Sequence, residues 1–117
     1  MSDERSDRET EPPEISLPGV ARHVSEEQPA LWKAFQALGA ASSAAGPLDE
    51  KSRRLVSLAL AVGAGSEGAT HSHARRAMGE GLSADELDHV ALLAVTTLGW
   101  PQAMRGLSWI RDVTGRT

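Results

Sequence analysis

Glu67, His71 and His73 form the only dense group of acid–base side chains beyond the acidic N-terminal stretch. On a helix, Glu67 and His71 are four residues apart and share a face, with Arg75 one turn further on. His73 lies roughly 200° around the helix from His71 and falls with Ala69 and Ala77 at the edge of the side that packs. An imidazole near neutral pH can give or take a proton, so His73 is the first candidate for proton transfer, with Glu67 and His71 beside it as further catalytic candidates. The same residues are equally compatible with quieter roles. His73 would then be a hydrogen-bonded, half-buried histidine, and Glu67, His71 and Arg75 a solvated charge ladder.

The spacing argues against a metal and against a phosphate site. His71-Ser-His73 diverges in direction on one helix and the chain holds neither H-x-x-x-H nor H-E-x-x-H, so a mononuclear site would need a ligand from another helix, such as His89, or from a neighbouring subunit. No metal and no cofactor are expected. Gly63-Ala-Gly65-Ser-Glu-Gly68 follows a helix rather than a strand and lacks the lysine of a phosphate-binding loop. His89 belongs at a core edge on its helix, and His23 lies in a connector.

The chain has 117 residues and no cysteine, which leaves room for one modest domain and removes disulfides, thiolate metal sites and any thiol nucleophile. Twelve basic against sixteen acidic residues give a formal charge of −4, with no basic footprint for nucleic acid. The longest uniformly apolar run, about Leu58 to Gly63, is far shorter than the roughly 20 residues of a membrane span. The N-terminus lacks the basic and apolar regions of a signal peptide. No nucleic acid and no membrane are expected as partners, and the expected location is cytoplasmic.

The elements that must position these residues are helical. Met1 to Glu14 is acidic and almost free of apolar residues, and is read as a disordered tail. Ile15 to His23 is a connector, so residues 1–23 stand apart from a single helical domain over 24–117. A first helix carries Leu31, Phe35 and Leu38 at helical spacing, with Pro29 in its first turn, and the small residues from Gly39 to Gly46 weaken or end it. A second runs from about Asp49 to Val62 and a third over Ser66 to Gly79, stopped by Gly81. Ser83 and Glu86 make an S-x-x-E capping box, with Leu82 and Leu87 placed as a hydrophobic staple, opening a fourth helix to about Leu98. A fifth spans Pro101 to about Val113. No alternating strand pattern competes, so the fold class is all-α.

The fourth helix is apolar on more than one side, with Leu92 and Leu93 widening the stripe, so it must be central or shared with another subunit. Trp100 and Trp109 add more apolar bulk than one thin core can cover. Self-association follows as an expectation.

From Leu48 to about Ile110 the sequence resembles the carboxymuconolactone decarboxylase family, which includes the AhpD-like alkylhydroperoxidases. The likeness rests on Leu48-Asp-Glu-Lys51, on Leu58-Ala-Leu-Ala-Val62, and on Gly65-Ser-Glu-Gly-Ala-Thr-His-Ser-His73 running on to Gly81. It continues through Leu82-Ser-Ala-Asp-Glu86, Leu92-Leu-Ala and Gly99-Trp-Pro101. It implies an AhpD-like bundle of about five helices assembled as a homo-oligomer, a trimer or a hexamer, with sites near subunit boundaries. The peroxidase branch resembles Cys-x-x-Cys-x-x-x-His with an upstream glutamate. Those positions fall here on Ser66, Ala69, His73 and Arg54, so only the histidine is kept and the thiol mechanism has no nucleophile.

The decarboxylase branch is the better relative. It implies acid–base chemistry on a small cyclic carboxylate, in which His73 transfers a proton and Arg54, Arg75 or Arg76 holds the anionic substrate. The alternative is a non-catalytic homo-oligomer that binds a small anionic organic ligand or serves structurally. A closed, fully packed surrounding of His73 favours the second reading, and a pocket shared by His73 and an arginine the first. A protein-binding role for the acidic tail is a third reading, weakened by the lack of an apolar anchor in Met1 to Glu14.

Overall fold

The computed structural model describes residues 19–117, and every regular element in them is helical. The helices are α1 (Gly19–Glu27), α2 (Pro29–Ser43), α3 (Glu50–Gly63), α4 (Glu67–Gly79), α5 (Ala84–Leu93), α6 (Val95–Leu98) and α7 (Trp100–Thr114). The tail expected over Met1 to Glu14 lies outside the described residues. The connector expected over Ile15 to His23 is helical from Gly19 onward, which brings α1 into the structure and His23 onto a helix. α2 also runs through Gly39 to Ser43, because a run rich in alanine favours the helix more than one glycine opposes it.

The helix starts follow local chemistry. The Asp49 carboxylate accepts from the Ser52 N–H at 2.8 Å and opens α3, and the Ser66 hydroxyl accepts from the Ala69 N–H at 3.2 Å to open α4. Ser83 and Glu86 form the reciprocal capping box of α5, and Lys51 of α3 pairs with the same Glu86 carboxylate. α3 and α4 both end in Schellman turns that require a positive φ. Gly65 (φ 67) lets the Ser66 N–H reach the Ala61 carbonyl, and Gly81 (φ 93) lets the Leu82 N–H reach that of Ala77. The single fourth helix expected over Ser83 to Leu98 is divided at Ala94, where bonds from Ala94 to Ala91 and from Thr97 to Ala94 tighten the chain into a three-residue turn.

α4 packs between α3 and α7, and α5 closes the bundle against α7. The core is Leu58 and Val62 from α3, Ala74 and Ala77 from α4, Leu82, then Leu87, Val90 and Ala91 from α5, and Ile110 from α7. Alanine on the inner face of α4 lets its neighbours approach closely. α7 meets α3 closer still at Gly106, where an added Cβ would lie 2.6 Å from Val62 Cγ1. One turn earlier the Gln102 amide donates to the Gly63 carbonyl at 3.3 Å, at the open end of α3, and to the Val62 carbonyl at 3.0 Å, which also accepts from the Gly65 N–H. The C-terminus is tied back by Arg111, which reaches buried Asp88 at 3.1 Å and the Thr117 carbonyl at 2.8 Å.

The expected apolar stripes are only partly covered. α2 buries no residue, and Leu31, Phe35 and Leu38 are 60%, 58% and 66% exposed. Leu92, Leu93 and Trp100 also face outward, and His89, expected at a core edge, is exposed. No described helix is long and apolar enough to cross a membrane.

Gly106→Ala should lower stability by about 1–3 kcal/mol through overpacking, although alanine improves helix propensity by about 1 kcal/mol. Urea denaturation of Gly106→Ala, Val62→Ala and the double variant checks the cause. The double variant loses less than the sum of the singles if Gly106 is there to make room for Val62; strict additivity would refute it.

Candidate functional site

Arg54 lies just over one turn into α3, on the side that meets the end of α4. Its guanidinium grips Glu80, the C-cap of α4, through both carboxylate oxygens, Nε to Oε1 at 3.0 Å and Nη2 to Oε2 at 2.9 Å. The remaining arm, Nη1, lies 2.7 Å from Nδ1 of His73. The Arg54 and Glu80 side chains are only 17% and 24% exposed, so this two-point pair is less screened than an open surface bridge, whose typical contribution is about 0–1 kcal/mol.

The geometry fixes the tautomer of His73. A guanidinium has five N–H donors and no acceptor, so Nδ1 must accept and the ring proton sits on Nε2. Burial lowers the pKa of His73 from 6.5 to about 4; the positive charges of Arg54 and then Arg76 act in the same direction, and Glu80 opposes them weakly. His73 is therefore a neutral imidazole at physiological pH that offers an N–H through Nε2. Its accepting nitrogen is already engaged.

The structure brings Arg54 and His73 together as parts of one cluster, with Arg76 near enough for its charge to act on the ring. It does not bring Glu67 and His71 there. Nor does the expected Glu67–His71–Arg75 ladder run along α4: His71 Nε2 instead meets the Asp112 carboxylate of α7 at 2.9 Å, and the donor atoms of Glu67, His71 and Asp112 all lie within 4.8 Å of one another. Arg75 has a buried Nε without a partner. Each of the three guanidinium nitrogens of Arg54 makes one contact, two to Glu80 and one to His73, so that the guanidinium orients the ring.

Ser66 and Ala69 bond to each other, the Ser66 hydroxyl accepting from the Ala69 N–H. They serve as a helix cap. Glu80 and Asp112 were missed by sequence reasoning, yet a signal for both was present. Each is an acid at or near a helix C-terminus, where the helix dipole disfavours a negative charge, and so each demanded a positive or hydrogen-bonding partner.

The sequence model of the carboxymuconolactone decarboxylase family matches residues 29–112, more than half of the chain. No curated protein and no solved structure matches.

Because His73 binds its proton less readily in the fold than in the unfolded chain, the unfolded state takes up more protons between pH 6.5 and about 4. Stability should fall as the pH drops through that window, with a slope of up to about 1.4 kcal/mol per pH unit from this one group. Histidine NMR titration should find His73 near 4, and Arg54→Met should raise it towards 6.5, since a positive neighbour is lost and Glu80 is left unpaired. An unchanged value in Arg54→Met would show that the contact does not control the ring.

Proposed function

Because the chain belongs to the carboxymuconolactone decarboxylase family, we propose that it acts as a lyase on a small cyclic carboxylate, with neutral His73 donating a hydrogen bond from Nε2 to a carbonyl oxygen of the substrate. The observation that carries this reading is the Arg54–His73 contact at 2.7 Å, which places the proton on Nε2. In such a reaction the bond to the carboxylate carbon breaks and carbon dioxide leaves. The electron pair passes through the conjugated system to the carbonyl oxygen, and a proton from water ends on carbon. An N–H donor fixed before the reaction stabilises that developing oxyanion without reorganising, and a neutral imidazole is suited to the task, as in other enzymes that polarise carbonyls this way.

In this reading His73 is an electrophile rather than the proton carrier expected from its residue type. Arg54 positions the ring, Glu80 holds Arg54, and the positive charge of Arg76, near enough to act on the ring, adds to the attraction for an anionic substrate. A thiol peroxidase is set aside because the chain has no cysteine. The second reading, a non-catalytic binder of a small anionic ligand, is favoured by one observation: the position of the upstream acid of the peroxidase branch carries Arg54, itself neutralised by Glu80.

Carbon dioxide release from a panel of lactone and cyclic carboxylates tests both. His73→Phe should lower turnover by roughly 10²–10³-fold, while His73→Gln, which keeps an N–H donor, retains part of it, and the rate should stay flat between pH 8 and 5. Saturable binding of these carboxylates without turnover selects the binder. Turnover indifferent to His73→Phe overturns the role given to this residue.

We also propose that the protein self-associates as a trimer or hexamer, with the α2 face among its contacts. Twelve large apolar side chains are exposed among the described residues, whereas only six large ones, Leu58, Val62, Leu82, Leu87, Val90 and Ile110, are buried. That ratio fits a subunit better than a monomer. Sedimentation should show the assembly, and Phe35→Asp should shift it towards monomer; a monomeric wild type at micromolar concentration would refute it.

A further inference from the structure

We propose that Glu67, His71 and Asp112 form a binding site for a zinc-class divalent cation, separate from the His73 cluster. The sequence alone lacked a third ligand from another helix, and α7 supplies it. Glu67 and His71 project from the first two turns of α4, and Asp112 comes from the last turn of α7. His71 Nε2 and Asp112 Oδ2 are already 2.9 Å apart, and all three donor atoms lie within 4.8 Å of one another. Zinc bonds to imidazole and carboxylate are about 2.0–2.2 Å long, which puts neighbouring ligand atoms roughly 3–3.5 Å apart. To meet that geometry the exposed Glu67 side chain swings inward, and the proton between His71 Nε2 and Asp112 Oδ2 leaves to solvent, the ring keeping its other proton on Nδ1 while the two ligand atoms part by a few tenths of an ångström.

Charge points the same way. Two carboxylates converge on one imidazole. Arg111 and Arg105 of α7 have other contacts, with Asp88 and the Thr117 carbonyl and with Gln102 and the Trp109 ring, while Arg75, one turn beyond His71 on α4, is a neighbouring cation that opposes an incoming metal. The start of α4 repels a cation, but the site also borders the last turn of α7, whose carbonyl end attracts one. One imidazole nitrogen with two carboxylates suits zinc or cobalt better than magnesium or calcium, which prefer oxygen alone. Three protein ligands leave at least one coordination position for water or a small anion.

Zinc titration of the full chain by calorimetry, with Co2+ absorption as a spectroscopic probe, tests the assignment. The expected result is one saturable site per chain that survives excess Mg2+, with Co2+ bands of a four- or five-coordinate ion. Asp112→Asn and His71→Ala should each weaken it at least tenfold. Glu67→Gln, at an exposed first helical position, gives a third variant that tests the site without threatening the fold, and circular dichroism confirms folding in all three. Absence of saturable uptake, loss of all uptake in Mg2+, or wild-type affinity in the folded variants overturns the proposal.

Discussion

A single guanidinium joins the two halves of the chemistry in this molecule. Arg54 reaches from α3 to the end of α4, closes a two-point contact on Glu80 and uses its remaining arm on His73. The Glu80 carboxylate, placed at a helix C-terminus, is disfavoured there unless a cation meets it. In supplying that cation the fold also places a permanent donor against Nδ1 of His73. The charge that stabilises the end of α4 therefore determines which nitrogen of the ring carries a proton. Structure and candidate chemistry share one interaction.

The second constraint is the thinness of the core. Of the eleven buried apolar residues, five are alanines, so the bundle gains its stability from close approach of helices rather than from bulk. That is why Gly106 faces Val62 and why the Gln102 amide can reach across to the last carbonyls of α3. Close approach leaves no inner volume for Leu31, Phe35, Leu92 or Leu93, which are turned outward. The Asp88–Arg111 contact, extended to Arg116 at 3.5 Å, then fixes the last helix from outside the apolar core.

Much of this was legible because the signals are local. The capping box at Ser83 and Glu86, the stop at Gly81 and the stripes of α3, α4 and α7 each depend on a few neighbouring residues, and sequence spacing carries them directly. The break at Ala94 was not legible, since Leu92 to Leu98 keeps a helical pattern on both sides of it, and α1 was hidden by its short, polar sequence. His73 and Arg54 stand out in the sequence as candidates, but their contact is organised by Glu80, 26 residues beyond Arg54, and no local pattern joins those positions. Asp112 was missed for the same reason, since it lies 41 residues from His71.

The residue types misled most where their ordinary chemistry was assumed. Histidine suggests a group that titrates near neutrality, yet burial and two arginines hold His73 in its neutral form down to about pH 4. Arginine suggests an anion clamp, and the carboxylate that Arg54 holds at two points belongs to its own chain, at Glu80. Ser66 uses its oxygen to accept the Ala69 N–H and hold the first turn of α4. Cysteine at position 66 would thus remove a helix cap. The two ends of α4 are fixed by different side chains: the cap at Ser66 sets its start, and Arg54 secures its end. His73 lies between those two fixed points, held by the same arginine.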